Sequence, residues 1–153
     1  MGAEQAIAEG VAADDGLTVC DTDSPHGLGV RTGPARRAGE MIHRFTGEIG
    51  PELRQHTLQV APGLHISGAR FIGYLSHSCD PNCALDMARF ELVALKDVRA
   101  GELLTIDYAA TEDQLYRQFA CHCGAASCRR WITGRTEPTN AEGRAWLAGA
   151  VAG

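Results

Sequence analysis

Phe119-Ala120-Cys121-His122-Cys123-Gly124-Ala125-Ala126-Ser127-Cys128-Arg129-Arg130-Trp131-Ile132 packs three thiols into eight residues. Random burial of small hydrophobic residues rarely gives that density. A structural zinc ion explains it: the ion takes four thiolate or imidazole ligands in a tetrahedron and supplies folding free energy of about 10–16 kcal/mol in small peptide sites. The gap within Cys121-His122-Cys123 is one residue, whereas redox pairs use two, so thiol–disulfide exchange is disfavoured. His122 is a poor fourth ligand, because ligands on both sides of it would strain a single residue's reach, and it is expected at the surface. The fourth ligand must come from Cys20, Cys79 or Cys83, all distant in sequence. Whichever it is, it clips the C-terminal part of the chain onto the body.

Outward from this cluster, the chain of 153 residues has the length and composition of one globular domain, 44% hydrophobic and 22% charged with 18 Gly and 6 Pro. It contains no repeat, and no apolar run long enough to span a bilayer, so no membrane partner is expected. With 14 basic against 19 acidic side chains, the formal charge of −5 repels a phosphate backbone, and nucleic acid is not an expected partner. The N-terminus MGAEQAIAEGVAADDG lacks the basic and apolar regions of an export signal, which suits a cytoplasmic protein and cysteines that bind metal rather than pair.

Residues 1–16 are read as an arm. From residue 17 to 106, short apolar stretches separated by turn residues predict a β-rich body: around Val30, 40–49, 56–60, 64–66, 90–95 and 103–106. Ala61-Pro62-Gly63 and Arg99-Ala100-Gly101 mark turns, and neighbouring strands are expected to be antiparallel. Thr111 with Gln114 fits a capping box, predicting a short helix that aligns Leu115, Tyr116 and Phe119. Asn140 is positioned to cap a second helix over 141–151, with Trp146 and Leu147 as its apolar contacts and the stretch around Pro138 as a linker.

Three further segments carry a family resemblance. Ser76-His77-Ser78-Cys79-Asp80-Pro81-Asn82 resembles the N-H-S-C-x-P-N signature of SET-domain methyltransferases, and Gly101-Glu102-Leu103-Leu104-Thr105-Ile106-Asp107-Tyr108 resembles their G-E-E-L-x-x-D-Y signature. The 119–132 segment resembles their post-SET C-x-C-x4-C motif. Gly27-Leu28-Gly29-Val30 and Phe45-Thr46-Gly47-Glu48 resemble the opening G-x-G strand and the Y-x-G-E element. The resemblance covers about residues 17–134 in the family's order and implies a mainly β, compact SET fold of short strands with few short helices, in which the two signatures cross as a pseudoknot. It divides the chain into an arm (1–16), a SET domain (17–118), a post-SET zinc segment (119–134) and a C-terminal linker with a short helix (135–153). It makes Cys79 the fourth zinc ligand beside Cys121, Cys123 and Cys128. It also implies S-adenosyl-L-methionine as cofactor, contacted by Leu28, Gly29, Ser76, His77, Tyr108, Phe119 and Trp131, with Tyr108 catalytic at the reacting methyl group. Phe119 and Trp131 are the aromatics expected around the adenine, with core packing the alternative for both. Cys20 and Cys83 are left as small buried hydrophobes.

Methyl transfer to an amine needs in-line alignment and a neutral nucleophile. A lysine of pKa near 10.4 is neutral about once in 2,500 molecules at pH 7, a cost of about 4.6 kcal/mol that an apolar channel and the adjacent sulfonium offset. No strong base is required. Tyr108 is the one phenol nominated, no carboxylate is, and Asp107 is assigned to bracing backbone. The chain departs from the family at Ser76, a shorter hydrogen-bonding group than asparagine; at Phe45, where a tyrosine often lines the lysine channel; at Ile106, where many members place Phe or Tyr; and at Arg130, in place of a glycine. Only 26 residues separate Ile49 from Ser76, leaving little room for a peptide-gripping insert. The expected activity is methyl transfer to a protein lysine. A small-molecule amine as substrate and a non-catalytic cofactor- and zinc-binding module are the alternatives, and the sequence sets no oligomeric state.

Overall fold

A computed structural model describes residues 14–22 and 27–152; the arm, apart from its last three residues, lies outside them. β1 (Leu17–Asp21) and β2 (Leu28–Thr32) form an antiparallel pair in which Leu17 faces Thr32 and Asp21 faces Leu28. The expected stretch 40–49 is two strands, β3 (Met41–Arg44) and β4 (Glu48–Gly50). The chain bends at Gly47, where a Cβ would stand 2.4 Å from the Ser67 carbonyl oxygen. β4 pairs with β6 (Leu64–Ser67), which pairs with β5 (Leu58–Ala61) across the expected Ala61–Gly63 turn. β8 (Cys83–Asp86) and β3 flank β9 (Glu91–Ala94), both antiparallel to it.

One pairing breaks the antiparallel expectation. β7 (Ser76–His77) lies parallel to β10 (Thr105–Ile106), so the two signatures run side by side. A parallel pair needs a crossover, and β8 and β9 supply it. Asn82 fastens the crossing: its Oδ1 accepts from Thr105 N–H at 2.8 Å and its Nδ2 donates to the Leu103 carbonyl at 3.0 Å. The core lies beneath, built from Val30, Ile42, Phe45, Ile66, Ile72, Leu75, Leu92, Leu104 and Ile106, all at most 3% exposed. Cys83 is fully buried in it, as expected, while Cys20 on β1 is half-buried.

The capped helix at 111–114 does not form. A 3₁₀ turn, Tyr108–Ala110, gives way to bends through residue 118. Thr111 Oγ1 donates to Glu112 Oε2 at 2.8 Å instead of receiving a backbone N–H, and Asp113 N–H donates to Gln59 Oε1 at 2.7 Å and Leu115 N–H to Glu137 Oε1 at 3.0 Å. The Asp113 and Leu115 backbone donors are thus satisfied from distant segments, Glu112 N–H donates to the Tyr108 carbonyl at 3.0 Å, and no helix is needed to satisfy them. The second helix is present: α1 (Ala141–Ala152) begins with Asn140 Oδ1 accepting from Gly143 N–H at 2.8 Å.

Candidate active site and metal centre

β11 (Phe119–Ala120) and β12 (Trp131–Ile132) pair antiparallel and close the base of the cysteine loop, with Cys121 N–H donating to the Arg130 carbonyl at 2.8 Å. Gly124 takes φ 81°, turning the chain so that Cys123 and Cys128 face Cys121. Arg130, where the resemblance expects glycine, keeps the glycine-like backbone at φ 72°: Trp131 N–H donates to the Arg129 carbonyl, a γ-turn centred on Arg130.

The thiols of Cys79, Cys121, Cys123 and Cys128 all lie within 4.8 Å of one another. A tetrahedral zinc ion with Zn–S near 2.3 Å separates its sulfurs by about 3.8 Å, so the four fit that ion with a small contraction. The electrostatics agree. Desolvation by burial pushes Cys121 and Cys79 up. At Cys123 burial also acts upward, but hydrogen bonds from the Cys79 and Ala125 backbone and the neighbouring thiols win and hold it down at about 6. Four thiols this close cannot ionise together without a cation among them. Cys20 and Cys83 are not in the cluster; His122 is exposed, its ring edge on Trp146 at a centroid distance of 5.9 Å, as a surface residue should be.

His77 joins this centre to the second signature. Its buried ring accepts the Tyr108 backbone N–H at Nδ1, 3.1 Å away, so the proton sits on Nε2, which points at Cys79 Sγ at 3.4 Å. Asp107 takes a two-pronged ion pair from Arg129, at 2.7 and 3.0 Å, and caps Ala109 N–H at 3.0 Å. Burial works against its charge, but the Arg129 hydrogen bonds prevail and hold the carboxyl below the usual carboxylate range.

The rings of His77, Tyr108 and Phe119 meet edge to face, at 5.2 Å for His77–Tyr108 and 5.7 Å for the other two pairs. Tyr108 and Phe119 border a cavity of about 680 Å³, within the size range of cofactor pockets. Its wall also includes Leu28, Leu58, Tyr74, Leu75, Glu112 and Leu115. The Tyr108 hydroxyl donates to the Leu75 carbonyl at 2.5 Å, and burial, with the Glu112 carboxylate adding, pushes its pKa up to about 12. The phenol is therefore a neutral hydrogen-bonding group at physiological pH and not a base.

The remaining sequence candidates divide. Leu28 is half-exposed on the cavity wall, and beside it lies the exposed Gly27 at φ 76°, with none of the described residues within 4 Å of where a Cβ would be. Gly29 is buried against β7, where a Cβ would stand 2.8 Å from Ser76 Oγ and 2.6 Å from Thr22 Cγ2; the missing side chain lets the strands meet. Trp131 stands off the cavity. Its indole N–H donates to Gln118 Oε1 at 2.9 Å, Gly143 of α1 packs on its ring, and Trp146 lies 6.2 Å away. Phe45 and Ile106, expected along the amine channel, are core residues, each 2% exposed and outside the cavity wall. Glu112 and Asn82 were not singled out. Each depends on a partner more than twenty residues away, and no local pattern announces that.

Parallel signature strands crossing beside a four-thiol centre and an aromatic-edged cavity define a SET-type methyl-transfer scaffold. Comparison with known proteins agrees. The SET domain family model matches residues 52–109. Methyltransferase flvH of Aspergillus flavus is 30% identical over 135 residues, spanning 86% of this chain and 76% of that protein. Histone-lysine N-methyltransferase 2D of Homo sapiens is 32% identical over 78 residues, 44% of this chain but only 1% of that protein. Among solved structures, KRYPTONITE in complex with mCHG DNA and SAH superposes with a TM-score of 0.61 at 26% identity, covering 75% of this chain and 28% of that one. The chain belongs to the SET-domain methyltransferase family.

Proposed function

We propose that the protein transfers a methyl group from S-adenosyl-L-methionine to the side-chain amine of a protein lysine. The observation that carries this reading is the parallel pairing of the two signatures beside one cavity, with Tyr108 on its wall and His77, off the wall, accepting the Tyr108 backbone N–H. Bound there, the cofactor supplies an electrophilic methyl on a sulfonium. This chain's residues bind and orient: Leu28, with Ser76, His77 and Phe119 near the crossing, serves the cofactor, and Tyr108 orients the amine. The phenol, neutral at physiological pH, orients the amine through hydrogen bonding and does not serve as a strong base. Trp131 contributes through the β11–β12 layer beneath α1 and not at the adenine. Zn²⁺ on Cys79, Cys121, Cys123 and Cys128 is structural, since all four positions of its tetrahedron are filled by protein. A cytoplasmic location, the 17–118 and 119–134 division and the absence of nucleic-acid and membrane partners belong to the same proposal.

A second reading is favoured by one observation: flvH, matched over most of its length, is named only a methyltransferase, whereas the chain spans small parts of the histone enzymes. In that reading the acceptor is a small-molecule amine. Radiolabelled-methyl cofactor incubated with the protein and a lysate split into protein and small-molecule fractions separates the two, with Tyr108→Phe as control. Tyr108-dependent label in protein supports the lysine reading; label confined to the small-molecule fraction transfers the function to metabolites; no label in either fraction with cofactor binding intact refutes turnover.

A further inference from the structure

Glu112 is 6% exposed and is the single carboxylate among the described residues that line the cavity. Its Oε2 accepts two hydrogen bonds, from Gln59 backbone N–H and from Thr111 Oγ1, each at 2.8 Å. Its Oε1 has no hydrogen bond among the described residues, and it is not among their sealed, unpartnered polar atoms. Glu112 thus lines the cavity with one oxygen tied into the fold and the other not. A buried carboxylate is costly unless paired, and here half of it is paired by the fold and half is left for something that enters. Arg135, whose charge acts on Glu112, is engaged elsewhere, with Nε on Asp113 and NH1 on the Ala110 carbonyl, while Arg54 and Arg117 also line the cavity without a hydrogen bond to Glu112. Burial pushes the Glu112 pKa up, as expected of a carboxyl with too few partners in a dry site.

We infer that Glu112 is a substrate-positioning group of the acceptor end of this cavity, its free Oε1 taking a hydrogen bond from an N–H of the methyl-accepting amine. The inference rests on the methyltransferase reading above and adds to it a residue that reads the acceptor's charge. Two observations favour the amine over the cofactor's own sulfonium. Glu112 is anchored on β5 through Gln59, an element that supplies none of the residues assigned to the cofactor. It also follows Tyr108, the residue assigned to the reacting methyl, by four positions, on the bent segment that Gln59 ties to β5.

The variant Glu112→Gln keeps the shape and an amide oxygen for Gln59 and Thr111, and removes the charge. The probe is n-butylammonium, compared with n-butanol, titrated into the S-adenosylhomocysteine complex of the full chain and followed by NMR shift changes at Tyr108. In the wild type the cation should bind at least ten-fold more tightly than the alcohol, and in Glu112→Gln that preference should vanish while the thermal midpoint and S-adenosylhomocysteine affinity hold. Wherever labelled acceptor has been found, the same variant should raise its KM about ten- to a hundred-fold with a smaller change in kcat. Equal affinity for cation and alcohol in the wild type would overturn the inference, as would an unchanged preference in the variant. Selective loss of S-adenosylmethionine over S-adenosylhomocysteine affinity in the variant would reassign the carboxylate to the sulfonium. Because the probe titration needs no turnover, its outcome is separate from the label experiment, whose failure would count against the methyltransferase reading alone.

Discussion

Asn82→Ala tests whether the crossing of the two signatures is held by one side chain. Asn82 is 7% exposed, and its amide satisfies Thr105 N–H at 2.8 Å and the Leu103 carbonyl at 3.0 Å. Its backbone N–H, bonded to Thr105 Oγ1 at 3.0 Å, survives the substitution. Alanine thus leaves one backbone donor and one acceptor unpaired between β8 and β10, each costing about 1–3 kcal/mol when buried. Part of this is recovered by water, because Leu103 and Thr105 are only half-buried, so the expected loss is about 2–4 kcal/mol. For a chain of this size that is a fall in thermal midpoint of roughly 5–15 °C. Asn82→Asp retains the acceptor for Thr105 but sets a buried carboxylate against the Leu103 carbonyl and Glu102 Oε2, so at neutral pH it should destabilise at least as much as alanine. Urea denaturation of the zinc-loaded protein, followed by far-UV circular dichroism, gives both values. A loss below about 1 kcal/mol for Asn82→Ala would refute the argument that Asn82 fastens β7 to β10, and the parallel pair would then have to be held by packing of Leu75, Leu104 and Ile106.

Tyr108→Phe deletes the hydroxyl on the Leu75 carbonyl; stability should drop by about 1 kcal/mol while methyl transfer falls about a hundred-fold or more, measured with labelled cofactor. With the phenol held near 12, the wild-type rate should show no limb from its ionisation below pH 10. Arg130→Gly should raise stability by about 1 kcal/mol in urea, because φ 72° costs arginine what glycine does not pay in strain; a loss would show that the arginine side chain outweighs the turn. Zinc removal by a chelator should red-shift tryptophan emission, since both tryptophans, Trp131 and Trp146, lie in the layer that the four cysteines fasten to the body; unchanged emission from protein verified as metal-free would count against that role. Asp107, its carboxyl held low by Arg129, contributes stability that is present above the ordinary carboxylate range near 4 and disappears as pH falls through its lower folded value. The part of acid destabilisation lost in Arg129→Gln should be small, below about 1 kcal/mol, because the pair is partly exposed.

What was legible in the sequence was local or came as ordered motifs. The thiol spacing announced a metal centre, Ala61-Pro62-Gly63 and Asn140 announced a turn and a cap, and the signatures announced the scaffold. What the residues alone left open was long-range: which distant cysteine joins Cys121, Cys123 and Cys128, and that β7 and β10 run parallel, which only the signatures could suggest. Trp131 and Ile106 sit where motif position suggests contact with ligand, yet neighbouring elements cover them, Gly143 and Trp146 in one case and the main core in the other.

The one helix expected and not found bears on function. Thr111 and Gln114 have the spacing of a capping box, and nothing nearby in sequence opposes a helix. It is opposed from 53 positions away, where Gln59 offers its backbone N–H to Glu112, and its side-chain oxygen receives Asp113 N–H. A helix over this segment would turn Glu112 and Asp113 along its axis and could not hand both to one strand residue. By holding the segment in bends, the contact with β5 fixes Glu112 in the cavity wall with one oxygen tied into the fold and one not. Local propensity has thus been overridden at the place where a buried carboxylate faces the acceptor end of the site, which is where a conflict between local pattern and final structure is expected to mark function. Restoring local propensity tests this: Gln59→Leu removes the side-chain acceptor of Asp113, and it should loosen the 111–118 segment in hydrogen exchange and weaken the n-butylammonium preference, although Glu112 itself is untouched. Loosening without any change in that preference would show that the bent segment serves packing alone.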